Sequence, residues 1–234
     1  MGVMQMKVNQ PRRRLIVAGA LAPLVAVAFR GSAQATAGAS NISFEKFQEG
    51  AAELAKLLPA NDPAQQDAFV LLALARALEV SEFPRPKLFP MGSFAPGVRI
   101  GPIGRSGPLM LIAYEFAPGA VLPAHDHPHY AVATLGLSGE ATVRHFEPVG
   151  ETPPYASAAS FKIRETARRL LRKGSFTTLA PCRDNIHAFT AGGAGAYFLD
   201  ITSAHGADLG FSYLAVPEER QTSDEYSSRW TRIG

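Results

Sequence analysis

The sequence predicts a mainly β protein, with a single antiparallel β-barrel preceded by an N-terminal helical hairpin. Two regions differ in the spacing of their apolar residues: an early region has the 3.6-residue period of helices, and a later one has short apolar runs broken by Gly and Pro. The chain has 234 residues, of which 47% are apolar and 18% are charged. That composition suits one globular core and excludes a disordered or fibrous chain.

The helical hairpin is predicted over residues 41–82. Apolar side chains from Phe44 to Leu58 follow the helical period, and Ser43 can cap the start of this helix. Asp62-Pro63 suits the cap and first position of a second helix, which Pro84 would end. We therefore expect two amphipathic helices packed against each other.

Six short apolar runs follow the hairpin and predict strands of the barrel. We expect the barrel domain to span 87–217 and residues 218–234 to form a C-terminal tail. Gly101–Gly107 is interpreted as a turn, because it does not lie between a strand and a helix as a phosphate-binding loop does. Glu151–Ser160, rich in Pro, Ala and Ser, is interpreted as an inserted loop. The runs are Leu109–Phe116, Ala131–Leu137, Ala141–Phe146, Ser175–Leu179, Ala196–Ile201 and Phe211–Val216.

The first 35 residues have the pattern of an export signal. Arg12–Arg14 precede the uncharged run Leu15–Phe29, which Ser32–Ala35 follow with the small residues of a cleavage site. The run is short and contains Gly and Pro, so it suits a membrane span poorly. We expect a twin-arginine-type signal peptide, cleavage near Ala35 and export to the periplasm, the alternative being an uncleaved membrane anchor.

The charge distribution argues against a nucleic-acid partner. The chain has 23 Lys and Arg against 20 Asp and Glu, but residues 1–35 hold five basic and no acidic residues, so the rest is slightly acidic. Six basic residues between Lys162 and Lys173 lack interleaved aromatic side chains and are interpreted as a solvated face. Cys182 is the only cysteine, which excludes an intrachain disulfide and a Cys-rich zinc site.

Histidines concentrate in the segment His125-Asp126-His127. On an extended chain His125 and His127 project to one face and Asp126 to the other, so the pair suits a first-row transition metal. Taken alone, the pair is as consistent with two exposed or core histidines as with two metal ligands. Gly119, Gly139 and the later His187 fit the two motifs of cupins, small barrels that bind a metal inside. The glutamate usual in the first motif is Val132 here, so we expect three neutral histidines and no carboxylate as ligands.

The chain then resembles a particular cupin family, the plant cysteine oxidases and the animal 2-aminoethanethiol dioxygenase. The likeness covers roughly 87–217 and is carried by segments 122–128, 167–182, 185–191 and 196–201. It implies Fe(II) as the cofactor, with His125, His127 and His187 as metal ligands. It also implies that Asp200 is the acidic catalytic residue that supports the site from beside it.

Two departures from the family put the substrate in question. The family's tyrosine near the active site is replaced at Gly206, and its cysteine near the last strand aligns with Phe211, although Tyr213 matches the following tyrosine. His205 lies beside the lost tyrosine and could be a pocket donor or a loop residue. The remaining histidines and the cysteine are given lesser roles: His129 in the pocket or turned away, His145 on a strand surface, and Cys182 as a small buried residue.

Two functions remain open on this reading. The first is a thiol dioxygenase that adds O₂ to the sulfur of a small aminothiol or an N-terminal cysteine peptide, giving a sulfinic acid. The second is an exported, non-enzymatic cupin that binds a metal or small ligand. In either case we expect a monomer with no nucleic-acid partner and no stable membrane insertion after cleavage. The alternation of the last motif predicts that Ala196, Phe198 and Asp200 share one face of their strand.

Overall fold

The structure is a computed structural model, and it describes residues 41–56, 63–90, 95–106, 108–155, 157–181, 183–203, 212–215 and 224–233. The predicted signal peptide lies outside these residues, as do Cys182, His205, Gly206 and Phe211. The described chain holds two helices and nine strands. None of the described helices combines the length and the apolar character needed to cross a bilayer.

The helical hairpin is confirmed, with α1 at Phe44–Lys56 and α2 at Pro63–Ala77. Ser43 Oγ accepts a hydrogen bond from the Lys46 N–H at 3.3 Å, which satisfies one free donor at the start of α1. Phe47 and Ala51 are buried one turn apart on α1, and the buried residues of α2 recur at the same interval. These faces pack on the outside of the sheet.

The nine strands form one antiparallel sheet in the order β1-β2-β7-β3-β8-β9-β5-β4-β6, with a further pairing between β7 and β4. That pairing closes a barrel of six strands, from β7 through β3, β8, β9 and β5 to β4, which confirms the predicted cupin-type barrel. The strands are β1 Val98–Ser106, β2 Leu109–Phe116, β3 Val121–Asp126, β4 Ala131–Val149, β5 Phe161–Arg172, β6 Phe176–Leu179, β7 Ile186–Ser203, β8 Ser212–Ala215 and β9 Glu225–Ile233.

The two faces of β7 belong to different cores. Leu199 and Ile201 pack against the helices outside the barrel. Phe198 packs inside, with ring centroids 5.4 Å from Phe116 and 5.9 Å from Phe189. Because alternate residues share a face, this packing places Asp200 inside the barrel with Phe198, as the alternation predicts.

Three segments differ from what the sequence predicts. The predicted turn at Gly101–Gly107 is wrong for its described residues: those from Gly101 to Ser106 belong to β1, where a bulge between Pro102 and Gly104 accommodates the irregular sequence. The basic segment forms strand β5 and the residue that follows it: five of its six basic residues lie on β5, Lys173 comes just after it, and all six are exposed. The solvated face is therefore confirmed, on an element that the pattern does not predict. The tail contains β9, which pairs with β8 and β5 and closes the barrel.

Gly139 permits the close contact between β4 and β7 where the barrel bends. Its φ is 65°, in the left-handed region, and a Cβ there would collide with the Gly195 carbonyl oxygen. We expect Gly139→Ala to lower the free energy of unfolding by about 2–4 kcal/mol, through backbone strain and overpacking. Thermal and denaturant unfolding would measure this loss.

Gly193→Ala is the matched control, because the space around a Cβ at that glycine is open. We expect it to change the stability by less than about 0.5 kcal/mol. Equal stability of the two variants would show that the bend tolerates a side chain at 139.

Candidate metal centre

The three candidate ligands come from two paired strands of the barrel and from the residue that follows one of them. His125 lies on β3 and His187 on β7, where they are directly opposite each other in the register. His127 follows the end of β3, and its N–H is held by the Asn185 carbonyl at 3.1 Å and the Asn185 Oδ1 at 3.0 Å. Strand pairing and this asparagine therefore bring all three imidazoles to one place.

The imidazoles converge through their Nε2 atoms. His187 Nε2 lies 2.9 Å from both His127 Nε2 and His125 Nε2. His125 Nδ1 lies 2.8 Å from the Pro123 carbonyl oxygen, which can only accept, so this nitrogen carries the proton and Nε2 presents a lone pair. A single N–H on His187 cannot point along both short contacts, whereas one cation between the rings would satisfy all three. The donor set thus fits a metal ion.

The electrostatics also favour a metal. Burial lowers the pKa of His125 to about 4, with a small opposing effect of the hydrogen bond to Pro123. Burial, and then repulsion from the neighbouring imidazoles, lowers the pKa of His127 and His187 well below the usual value. All three are neutral at pH 7, the state in which histidine binds a metal.

No carboxylate joins the triad among the described residues. Val132 occupies the motif position of the usual glutamate, and it packs with Tyr130 and Leu179. A bound dication would therefore keep its full charge, with coordination positions left open for other molecules.

Aromatic side chains surround the triad. Tyr130 lies 4.7 Å from the His127 ring centroid, Tyr213 lies 6.0 Å from the His125 centroid, and Phe189 lies 4.7 Å from the His187 centroid. Tyr130 is not predicted from the sequence, because a single tyrosine after the histidine segment carries no periodic signal. The three aromatic rings give the centre apolar walls with two hydroxyl groups.

Asp200 is buried in the same interior, held by hydroxyl groups. Its Oδ1 accepts a hydrogen bond from Thr134 Oγ1 at 2.5 Å, and Tyr114 is its second hydrogen-bond partner. Burial raises the pKa of Asp200 to about 7, although both hydroxyls oppose the rise. Among the described residues its partners are these hydroxyls rather than a ligand imidazole.

Tyr114 connects Asp200 to the aromatic walls of the triad. Burial raises the pKa of Tyr114 well above its usual value, and negative charge on Asp200, Tyr130 or Tyr213 raises it further. These four groups are therefore close enough to interact inside one barrel. No motif indicates Tyr114, but its position on the inward face of β2 follows from the packing of Phe116.

The other histidines differ in their outcomes. His129 is exposed, and its place among the pocket residues is not supported. The surface position predicted for His145 is wrong: the residue is 4% exposed, Thr177 Oγ1 lies 2.7 Å from its Nε2, and its ring centroid is 6.2 Å from that of His187. It shares a face of β4 with Val143, which packs in the barrel interior.

A family model described as PCO_ADO matches residues 94–210, half of the 234-residue chain. None of the curated proteins compared with the chain matches it.

Solved structures match only distantly. KdgF from Halomonas sp. is 19% identical, with a TM-score of 0.34, over 48% of this chain and 82% of that protein. A RmlC-like cupin from Shewanella frigidimarina is 17% identical, with a TM-score of 0.36, over 53% and 87%. Recombinant oxalate oxidase in complex with glycolate is 19% identical, with a TM-score of 0.39, over 57% and 64%. Likenesses this low carry no argument about function.

Proposed function

Because the chain belongs to the PCO_ADO family of cysteine and cysteamine dioxygenases, we propose that it is an iron(II)-dependent thiol dioxygenase. The reaction is RSH + O₂ → RSO₂H. Two S–O bonds form, the sulfur is oxidised by four electrons, dioxygen is reduced by the same four, and the thiol proton ends on the sulfinic acid. No further reductant is needed.

The observation that carries the proposal is the convergence of three neutral, buried imidazoles, which no carboxylate joins in the part of the chain that the structure describes. Iron(II), when bound, supplies a centre that lowers the pKa of a thiol and activates dioxygen. The protein holds the donors, keeps His125 deprotonated at Nε2 through the contact of its Nδ1 with Pro123, and limits water access, since none of the three is more than 4% exposed.

The substrate we propose is a small aminothiol or a peptide with an N-terminal cysteine. Such substrates carry an ammonium group near the sulfur, and Asp200 is a buried carboxylate of the barrel interior. Its partner Tyr114 packs against the cluster that contains Phe189 and Tyr213. The hydroxyl partners of Asp200, Thr134 and Tyr114, leave lone pairs on its two oxygens, which can accept from an amine.

An oxygen-electrode screen tests the proposal. The purified protein, loaded with iron(II), is given cysteamine, cysteine and a peptide that begins with Cys. We expect oxygen uptake with at least one of them, and a product heavier by two oxygen atoms. Stoichiometric metal without uptake on any thiol would instead favour the non-enzymatic cupin.

We also propose that the protein is exported through the twin-arginine route, for which the motif around Arg12 and Arg13 is the support. Replacing both arginines by lysine is expected to leave most of the protein in the cytoplasm, because the route depends on the arginine pair. Cell fractionation and immunoblotting would measure this. An unchanged level outside the cytoplasm would exclude the route.

A further inference from the structure

We infer that Tyr155 is a positioning residue for the metal centre, which it reaches through Asp126. Tyr155 lies in the inserted loop, 29 residues after Asp126 in sequence, and its hydroxyl donates to Asp126 Oδ2 at 2.8 Å. Asp126 stands between the ligands His125 and His127. The inference rests on the proposed function only in taking the triad as the metal site.

The side chain of Asp126 anchors the short backbone segment that carries two of the ligands. It is 2% exposed, and strand alternation turns its carboxylate away from the imidazole of His125. Its Oδ1 accepts from the Ser212 N–H at 2.7 Å, and its Oδ2 accepts from Tyr155. Each oxygen thus has a donor from a different segment, which prevents the side chain from turning.

Tyr155 is itself held rigidly on its aromatic side. Its ring centroid lies 4.6 Å from that of Trp230 on β9, and the Trp230 ring packs on Phe161 at 5.0 Å. Trp230 Nε1 donates to the Pro153 carbonyl at 2.9 Å, which anchors the loop two residues before Tyr155. Although Tyr155 is 39% exposed, its ring is therefore fixed by packing, and the position of its hydroxyl beside Asp126 is fixed with it.

This chain of contacts bears on metal binding because a metal tolerates little displacement of its ligands. His127 lies just beyond β3, so its backbone is held by Asn185 on one side and by the anchored Asp126 on the other. Removing the Tyr155 hydroxyl takes away the side-chain donor to one oxygen of a buried carboxylate and leaves the side chain held from the Ser212 side alone among other segments, so it is less firmly oriented. The imidazoles of His125 and His127, on either side of Asp126, would then be oriented less precisely. Loss of a residue that orients a metal ligand typically weakens metal binding.

The test is the iron(II) affinity of Tyr155→Phe in the full-length chain, measured by competition with a chelator. We expect the affinity to fall by about tenfold or more, with thiol turnover restored by excess iron. Because Tyr155 is partly exposed, the variant is expected to fold.

Tyr226→Phe is the matched control. It removes another tyrosine hydroxyl, from β9, that donates to a carboxylate oxygen, Glu165 Oε2 at 2.9 Å. We expect it to leave the iron affinity unchanged, even if its thermal stability falls. If the two variants bound iron equally, whether as wild type or both more weakly, Tyr155 would have a structural role only. Failure of the wild-type protein to bind any divalent metal would overturn the proposed function as well.

Discussion

His187→Ala is expected to remove metal binding and, with it, thiol-dependent oxygen uptake. His187 is central to the triad, since its Nε2 makes both of the 2.9 Å contacts. Losing one of three ligands leaves two imidazoles and no carboxylate among the described residues to replace the third. Mutating a residue that hydrogen-bonds to a metal ligand lowers metal affinity by roughly 10–100-fold, and we expect the loss of a ligand itself to lower the iron affinity by more than that. Metal analysis of purified protein and oxygen uptake would measure the two losses.

His129→Ala is the control for this variant. It removes a neighbouring imidazole that is exposed and outside the triad, so metal content and turnover are expected to stay at the wild-type level. Stoichiometric iron in His187→Ala together with loss of iron in His129→Ala would mean that the ligand assignment is wrong.

Asp200→Asn is expected to preserve the fold and the metal while lowering turnover by about 10–100-fold. The amide keeps the size of the carboxyl group and can still accept from Thr134, but it loses the charge that a substrate ammonium group would meet. Turnover is measured on each thiol that the wild type accepts. Wild-type turnover on all of them would show that Asp200 is structural.

The pH dependence of stability gives an independent check on Asp200. Its pKa is raised to about 7 in the folded protein, against about 3.9 in an unfolded chain. The folded state therefore binds more protons between these values, and the stabilisation from the neutral acid is lost as the pH rises from about 4 to 7. In metal-free protein, Asp200→Asn is expected to remove this loss, so that the variant gains stability relative to wild type over that range. Denaturant unfolding at pH 5 and pH 7.5 would measure the difference, and parallel curves would contradict the raised pKa.

Much of the candidate centre could be predicted because strand geometry is simple. Two histidines two residues apart share a face in any extended segment, and the later histidine matches a known pattern. The packing of Asp200 with Phe198 follows from the same alternation. The ligand geometry could not be predicted, because the contact between His125 and His187 depends on a register between strands 62 residues apart.

The residues that the sequence does not reveal are those whose role depends on long-range packing. His145 lies in the predicted run Ala141–Phe146, but which face of that strand turns to the interior is decided by the packing of Ala141 and Val143. Tyr155 lies in a segment without any period, and its hydrogen bond to Asp126 needs the loop to fold back over β9.

The strands that the sequence does not predict have physical explanations of the same kind. In β9, Tyr226, Ser228 and Trp230 are buried at alternate positions, but the serine and the charged neighbours hide that alternation. In β1 the glycines and Pro102 resemble a turn, whereas pairing with β2 and a bulge keep the segment extended. Tertiary pairing overrides weak local preference in both strands.

Isotopically labelled dioxygen tests the central claim most directly. Iron-loaded wild-type protein is incubated with cysteamine, cysteine or an N-terminal cysteine peptide, and the product is analysed by mass spectrometry, with His187→Ala as the control. We predict a sulfinic acid in which both oxygen atoms carry the label, formed by the wild type and not by the variant. A disulfide, a product with one labelled atom, or equal product from both proteins would contradict the assignment of a thiol dioxygenase built on His125, His127 and His187.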